Sequence, residues 1–188
     1  MRTGTLIKTL DAKDGRNVIL RTPKWEDLDD LIEFINSIIE EGADLGTYQK
    51  VTREQEAEWL GQQLAETEKG NRFVVLAEVH GKVVANASIV KYAGYLAHVG
   101  ELSIAIKNGF RDIGVGTEML KTLISRAENM GLKMLTLTVF STNNRAKHVY
   151  EKVEFRETGC IPNGLYKNGK FIDHIIMVKE ITRAPKSI

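Results

Sequence analysis

Cysteine is nearly missing from this 188-residue chain: Cys160 stands alone, so no disulfide framework holds the fold together. A surplus of one charge is missing too. Lys and Arg number 26 against 25 Asp and Glu, a formal charge of +1. Such a balance gives no global electrostatic reason to bind nucleic acid or an anionic membrane, and neither is expected as a partner. No stretch approaches the ~18 consecutive apolar residues of a spanning helix. The opening MRTGTLIKTLDAKDGR has no apolar run of the kind a secretory signal carries, so a cytoplasmic location is expected. The histidines at 80, 98, 148 and 174 fall in no HxH or HxxxH spacing, so no metal site is expected. Internal repeats, low-complexity tracts and linkers are also absent.

What is present is ordinary globular material, 43% hydrophobic and 27% charged, enough to bury a core without staples. At roughly 150 residues per domain, the length predicts one domain over 1–188 with its core at about 17–180. NVILRT (17–22) reads as a first strand ended by Pro23. Leu28, Leu31, Ile32, Ile35 and Ile39 then recur at helical spacing within 25–40. After Gly42 and Gly46, Thr52 and Gln55 form a capping-box pattern for a second helix running to about Lys69. Strands are predicted at 73–79 and 82–90, joined through His80-Gly81, and at 100–106. In the last of these, Leu102, Ile104 and Ile106 face one way, and Glu101, Ser103 and Ala105 the other.

A helix from about 114 to 130 carries the apolar stripe Val115, Met119, Leu123 and Ala127, widened by Leu120 and Ile124. A strand at 133–140, a helix at 143–153 and a strand at 155–161 follow. Asn168-Gly169 then joins Leu165-Tyr166 to 171–178 as a type I′ hairpin. The order β-α-α-β-β-β-α-β-α-β-β predicts an α/β (α+β) fold, with a mixed, mostly antiparallel central sheet flanked by helices. Trp25 and Trp59 read as core residues. The run RAPKSI after Thr182 reads as a frayed tail.

Chemistry concentrates at Arg111-Asp112-Ile113-Gly114-Val115-Gly116-Thr117, between a strand and a helix. Free N–H groups and the positive end of a helix dipole make an anion site there, and glycine lets a phosphate approach the backbone. The plainer reading is a tight turn. The Lys-Ser or Lys-Thr of a Walker A loop does not follow these glycines, and GxGxxG at the front of a βαβ unit is not met.

Further on come Asn143-x-x-Ala146 and Tyr150-Glu151-Lys152-x-x-Phe155. Together with Arg111-x-x-Gly114-x-Gly116, this arrangement resembles the GNAT superfamily of acetyl-CoA-dependent N-acetyltransferases. The element order follows the family over about 17–180, and the motifs over 100–155. One departure is Glu154, where the family usually has Gly before the Phe.

The resemblance implies a GNAT acyltransferase fold and acetyl-CoA as cosubstrate, with no metal. Its pyrophosphate would lie on the amides of Arg111, Asp112, Ile113, Gly114, Val115, Gly116 and Thr117. Its pantetheine arm would run along Ile104, Ala105 and Ile106, with Asn143, Ala146 and Lys152 completing the coenzyme site. Lys107, Arg111, Arg145 and Lys147 are candidates for the 3′-phosphate, or plain solvated charges. Tyr150 matches the family's general acid toward the departing thiolate. A phenol of pKa ~10 serves a thiolate of pKa ~8.5 only where charge develops beside it.

Glu101 is the candidate base, and Glu101-x-Ser103-Ile104 resembles the EHSV-type strand of phosphinothricin and amino-acid acetyltransferases. His98 lies close enough in sequence to share proton transfer, though a loop histidine reads more plainly. The acidic set Glu40, Glu41 and Asp44 would either draw a cationic amine or stand as a solvated loop. The implied reaction moves acetyl to a primary amine of a small molecule by direct attack. The alternatives are a protein N-terminal or lysine acetyltransferase, or a non-catalytic acetyl-CoA sensor. A homodimer is implied only by analogy with the family.

Overall fold

The computed structural model describes residues 2–181, so the tail expected after Thr182 lies outside the described residues. The strands are β1 (Leu6–Asp11), β2 (Asn17–Arg21), β3 (Arg72–Val79), β4 (Lys82–Lys91), β5 (Val99–Ile106), β6 (Met134–Phe140), β7 (Arg156–Lys167) and β8 (Lys170–Glu180). The helices are α1 (Leu28–Glu40), α2 (Arg53–Glu68), α3 (Val115–Asn129) and α4 (Asn144–Lys152). One sheet runs β1-β2-β3-β4-β5-β6-β8-β7. Among the described residues only β5–β6 is parallel; the other pairings are antiparallel. The predicted mixed, mostly antiparallel sheet flanked by helices is therefore the observed one.

Two apolar clusters sit on the two faces of this sheet. On one face α3 lays Val115, Met119, Leu120, Leu123 and Ala127 against Phe73, Val75, Leu102 and Leu135. Met119, Leu120 and Leu123 are fully buried, each contributing about 1.5–3 kcal/mol of transfer free energy. On the other face α1 and α2 pack Leu31, Phe34, Ile38 and Leu60 against Val74 and Leu76. Alternation along β5 is as expected, with Leu102, Ile104 and Ile106 toward the α3 side and Ala105 toward α1 and α2.

Several sequence expectations are corrected. A strand precedes the predicted first one: β1 pairs with β2 from Leu6 to Asp11. Its residues are largely exposed, so it is held by hydrogen bonds to β2 and carries little apolar periodicity of its own. The predicted 155–161 strand and the short Leu165-Tyr166 piece are one strand, β7, which shifts register between Ile161 and Leu165. The buried seam of α1 is Leu28, Leu31, Phe34 and Ile38, whereas Ile32 and Ile35 are half-buried. Trp25 belongs to no core: it sits in a 3-10 turn and is 51% exposed. Trp59 only flanks the second cluster.

Local signals read from the sequence are met where they are self-contained. The Thr52 hydroxyl accepts from the Gln55 amide at 3.3 Å, and the Gln55 side chain accepts from the Thr52 amide at 2.9 Å. At the two-residue turn Asn168-Gly169 both φ angles are positive, 52° and 77°, as a type I′ turn requires. Glu154 stands at φ 67°, the left-handed position that closes α4 and that glycine occupies without strain. The Phe155 amide donates to the Tyr150 carbonyl at 3.0 Å, so the helix ends as it would with glycine there.

Candidate active site

The parallel pair sets the geometry of the site. β5 and β6 pair at Val99–Met134, Gly100–Leu135 and Glu101–Thr136, and there the pairing stops. Beyond it β5 runs on to Ile106 with no strand on its β6 side, leaving about 16 Å of free edge over five residues. An extended chain bearing amides can add itself to such an edge. The gap opens into a cleft of about 970 Å³ between β5, α3 and α4.

At one end of the free edge lies the glycine turn. Among the described residues, no amide from Arg111 to Thr117 donates to a protein acceptor, and the first helical bond is Glu118 N–H to Gly114 O at 3.1 Å. These free donors stand at the N-terminus of the fifteen-residue α3, where the dipole favours an anion. The two glycines have different causes. Gly114 caps the helix at φ 94°, a left-handed conformation. Gly116 is needed for space, because a Cβ there would come within 2.9 Å of Ile106 Cδ1.

Arg111 donates from Nε to the Ile106 carbonyl at 2.7 Å and pairs with Glu41 beyond the end of α1. Burial, then the neighbouring Arg145, lowers its pKa, with Asp112 acting in the opposite direction. The turn thus combines free amides with two crowded guanidinium groups, a donor set that fits a pyrophosphate.

Twelve of the expected site residues line the cleft: Ile104, Ala105, Ile106, Arg111, Asp112, Gly114, Gly116, Thr117, Asn143, Ala146, Tyr150 and Lys152. Three do not. Val115 is buried in the α3 seam and Ile113 packs against the same core. Glu101 is exposed on β5 beyond the cleft lining, and its carboxylate accepts from the Tyr92 hydroxyl at 3.0 Å. Asn143 also caps α4, its side-chain oxygen accepting from the Ala146 amide at 3.0 Å. Of the phosphate candidates, Arg145 lines the cleft, whereas Lys107 pairs with Glu33 at 3.2 Å and Lys147 is outside the lining.

Tyr150 is 7% exposed, and its hydroxyl has no hydrogen-bond partner among the described residues. Burial pushes its pKa up to about 12, so it remains a phenol at any physiological pH.

Sequence reasoning missed Lys13, Leu45 and His148 on the cleft wall. Lys13 arrives because the β1–β2 turn docks on the glycine turn: its amide donates to the Ile113 carbonyl at 3.0 Å, and Arg16 donates to the Gly109 carbonyl at 2.6 Å. A contact across a hundred residues leaves no local pattern. His148 could have been found by helical spacing, since it lies on α4 four residues before the expected site residue Lys152.

Residues 30–155 match the family pattern described as Acetyltransferase (GNAT) family. The chain belongs to this family. YwnH of Bacillus subtilis (strain 168), named as a candidate phosphinothricin acetyltransferase, is 29% identical over 165 residues, 87% of this chain and 99% of its own. A GNAT-family acetyltransferase of Streptococcus pneumoniae superposes with a TM-score of 0.78 at 29% identity, over 88% of this chain and 99% of that one. The phosphinothricin acetyltransferase of Sinorhizobium meliloti, solved in complex with acetyl-CoA, shares the fold at a TM-score of 0.78 and 16% identity. That match covers 91% of this chain and 92% of its own. This GNAT chain is thus an acetyl-CoA-dependent acyltransferase. Among the described residues it has no helix long and apolar enough to cross a membrane.

Proposed function

We propose that this GNAT protein transfers acetyl from acetyl-CoA to the primary amine of a small molecule by direct attack. Acetyl-CoA supplies the acetyl group as a thioester. The free amides from Arg111 to Thr117, with Arg111 and Arg145, hold its pyrophosphate, and the open β5 edge from Leu102 to Ile106 receives its amide-bearing arm. The thioester end then falls beside Glu101 and Ser103, where β5 and β6 part.

Glu101, directly or through water, takes the proton the amine loses as its N–C bond forms. Tyr150 gives its hydroxyl proton to the sulfur as the C–S bond breaks, and water returns the protons to their places. A phenol pushed to about 12 gives up a full proton reluctantly. The same buried setting raises the basicity of a thiolate formed beside it, so the donation is driven by the charge it neutralises.

The observation that carries the reading is the unpartnered hydroxyl of the otherwise buried Tyr150, in the lining of a cleft that starts at a free amide cradle. A small acceptor is favoured over a peptide by Lys167, near the tip of the β7–β8 hairpin. Its Nζ donates to Asp44 Oδ1 at 2.6 Å and to the Gly42 carbonyl at 2.7 Å, tying the hairpin to the α1–α2 loop that lines the cleft. The name of YwnH points the same way.

The test is thiol release from acetyl-CoA with a panel of amino acids, polyamines, aminoglycosides and short peptides, repeated with Tyr150→Phe. Acceptor-dependent release from a small amine, falling ~10²–10⁴-fold in the variant while acetyl-CoA affinity holds, supports the reading. Release only with peptides overturns the acceptor assignment, and undiminished turnover in Tyr150→Phe overturns the acid.

A further inference from the structure

The α1/α2 face of the sheet carries a polar row outside the cleft lining. Arg72 on β3 pairs across to Val90 on β4, and Val90 pairs to Glu101 on β5. Cross-strand partners share a face, so Arg72 and Glu101 project from the same side of the sheet, their Cα atoms roughly 10 Å apart across two strand spacings. In the next row Ser88 and Ser103 meet, Oγ to Oγ at 3.0 Å, and Ser103 leads along β5 to Ala105 in the cleft wall. Val90 is half-buried and Glu101 exposed, so α1 and α2 leave this end of the face open.

Arg72 itself is half-buried, and its guanidinium donates to the neutral amide oxygen of Gln63 on α2. No carboxylate comes within ion-pair distance of it among the described residues. Glu66, the nearest acid on α2, is engaged with Lys69 at 2.7 Å and Asn71 at 2.8 Å. Glu101 is held by Tyr92 at 3.0 Å. A guanidinium taken partly out of water without an anion is poorly compensated, and a bidentate carboxylate is the ligand its geometry matches best. Burial lowers the Arg72 pKa, with Glu66 and Glu101 opposing, in keeping with a cation that lacks its counter-ion.

We infer that Arg72 binds the carboxylate of the acceptor, so that the substrate is an α-amino acid or close analogue held between the Arg72 guanidinium and the Glu101 carboxylate. This rests on the assignment of Glu101 as the base and adds the group that selects among amines. The carboxylate meets Arg72, the amine turns toward Glu101, and the side chain points out of the open end. A polyamine offers nothing to Arg72, and an amino-acid amide offers one neutral oxygen in place of a bidentate anion.

The experiment compares steady-state acetylation of L-amino acids, their carboxamides and a polyamine by wild type, Arg72→Gln and Arg72→Lys. Thermal unfolding and acetyl-CoA affinity report whether each variant is folded and loaded. Wild type is expected to favour the free acid over its amide by at least about 100-fold in kcat/KM. Arg72→Gln should raise KM for the acid at least about 10-fold and that for the amide much less, with Arg72→Lys intermediate for the acid. Equal turnover of acid and amide by wild type overturns the inference, and so does an unchanged acid KM in a folded, coenzyme-binding Arg72→Gln. If the polyamine is acetylated and no amino acid is, the inference fails while the transferase assignment stands. If no small amine is acetylated, the small-molecule reading fails with it.

Discussion

Replacing Asp27 by alanine removes the most buried carboxylate pair in the structure and tests how α1 is anchored to the sheet. The Arg21 guanidinium on β2 donates to both Asp27 oxygens at 2.7 Å and, through Nε, to Glu78 of β3 at 2.7 Å. The Asp27 side chain is 4% exposed and that of Arg21 11%. Asp27 also accepts from the Lys24 amide at 2.9 Å, which fixes the turn that opens α1. Burial opposes the Arg21 charge, but the two carboxylates outweigh it and hold its pKa above the ordinary value.

Losing one partner of a buried pair costs about 3–5 kcal/mol, and the surviving Glu78 contact puts Asp27→Ala near the lower end, at about 3 kcal/mol. Against a typical stability of about 5–15 kcal/mol that is a large fraction. With a urea slope of about 2 kcal/mol/M, the midpoint falls by about 1.5 M with the slope unchanged. Intrinsic fluorescence during urea unfolding reads this directly. The triple variant Arg21→Met, Asp27→Leu and Glu78→Gln should recover most of the loss, because it removes the whole cluster and leaves no carboxylate without its partner. A cost below about 1 kcal/mol for Asp27→Ala would show that water screens the pair as it does a surface one, and the reasoning would fail.

Gly116→Ala gains up to about 1 kcal/mol of helix propensity but pushes Ile106 aside. Stability should therefore stay within about 1 kcal/mol of wild type, while acetyl-CoA affinity by calorimetry falls about 10-fold as the cleft wall moves. Glu56 on α2 is 7% exposed with its pKa raised by burial, so the fold favours the neutral acid and loses that advantage as pH rises above the ordinary 4.5. Glu56→Gln should therefore stabilise the protein at pH 7 by about 1 kcal/mol and make no difference below pH 4.5, as urea titrations at the two pH values will show.

The pKa of Tyr150 is likewise raised, to about 12, so its contribution is complete below the unfolded value of 10 and is lost as pH climbs through 12. Relative to Tyr150→Phe, wild type should lose stability only over that window. Glu154→Gly relieves the left-handed residue at φ 67° and should raise Tm by roughly 2–4 °C, whereas Glu154→Ala, which removes only the contact to Lys179, should not.

Read along the chain, the sequence by itself determined whatever depends on near neighbours. The α3 stripe, the Thr52–Gln55 capping box, the turns at 80–81 and 168–169 and the glycine turn ahead of α3 are all set by residues a few positions apart, and periodicity, capping and φ preference act over that range. Tyr150 and the amide cradle were legible for the same reason: each belongs to a short motif at a helix. The Glu154 departure was visible as well, and its backbone adopts the conformation glycine would have taken.

Tertiary structure decided the rest. β1 exists because β2 offers it a partner, and β7 is continuous because β8 carries it across its register shifts. The open edge that forms the cleft arises where β5 and β6 stop pairing at Glu101–Thr136, strands separated in sequence by the whole of α3. Lys13 reaches the glycine turn, and Arg72 comes into one row with Glu101, through hydrogen-bond registers between distant segments. Those registers are set by the buried faces of the whole sheet, since a one-residue slip would turn each core side chain outward.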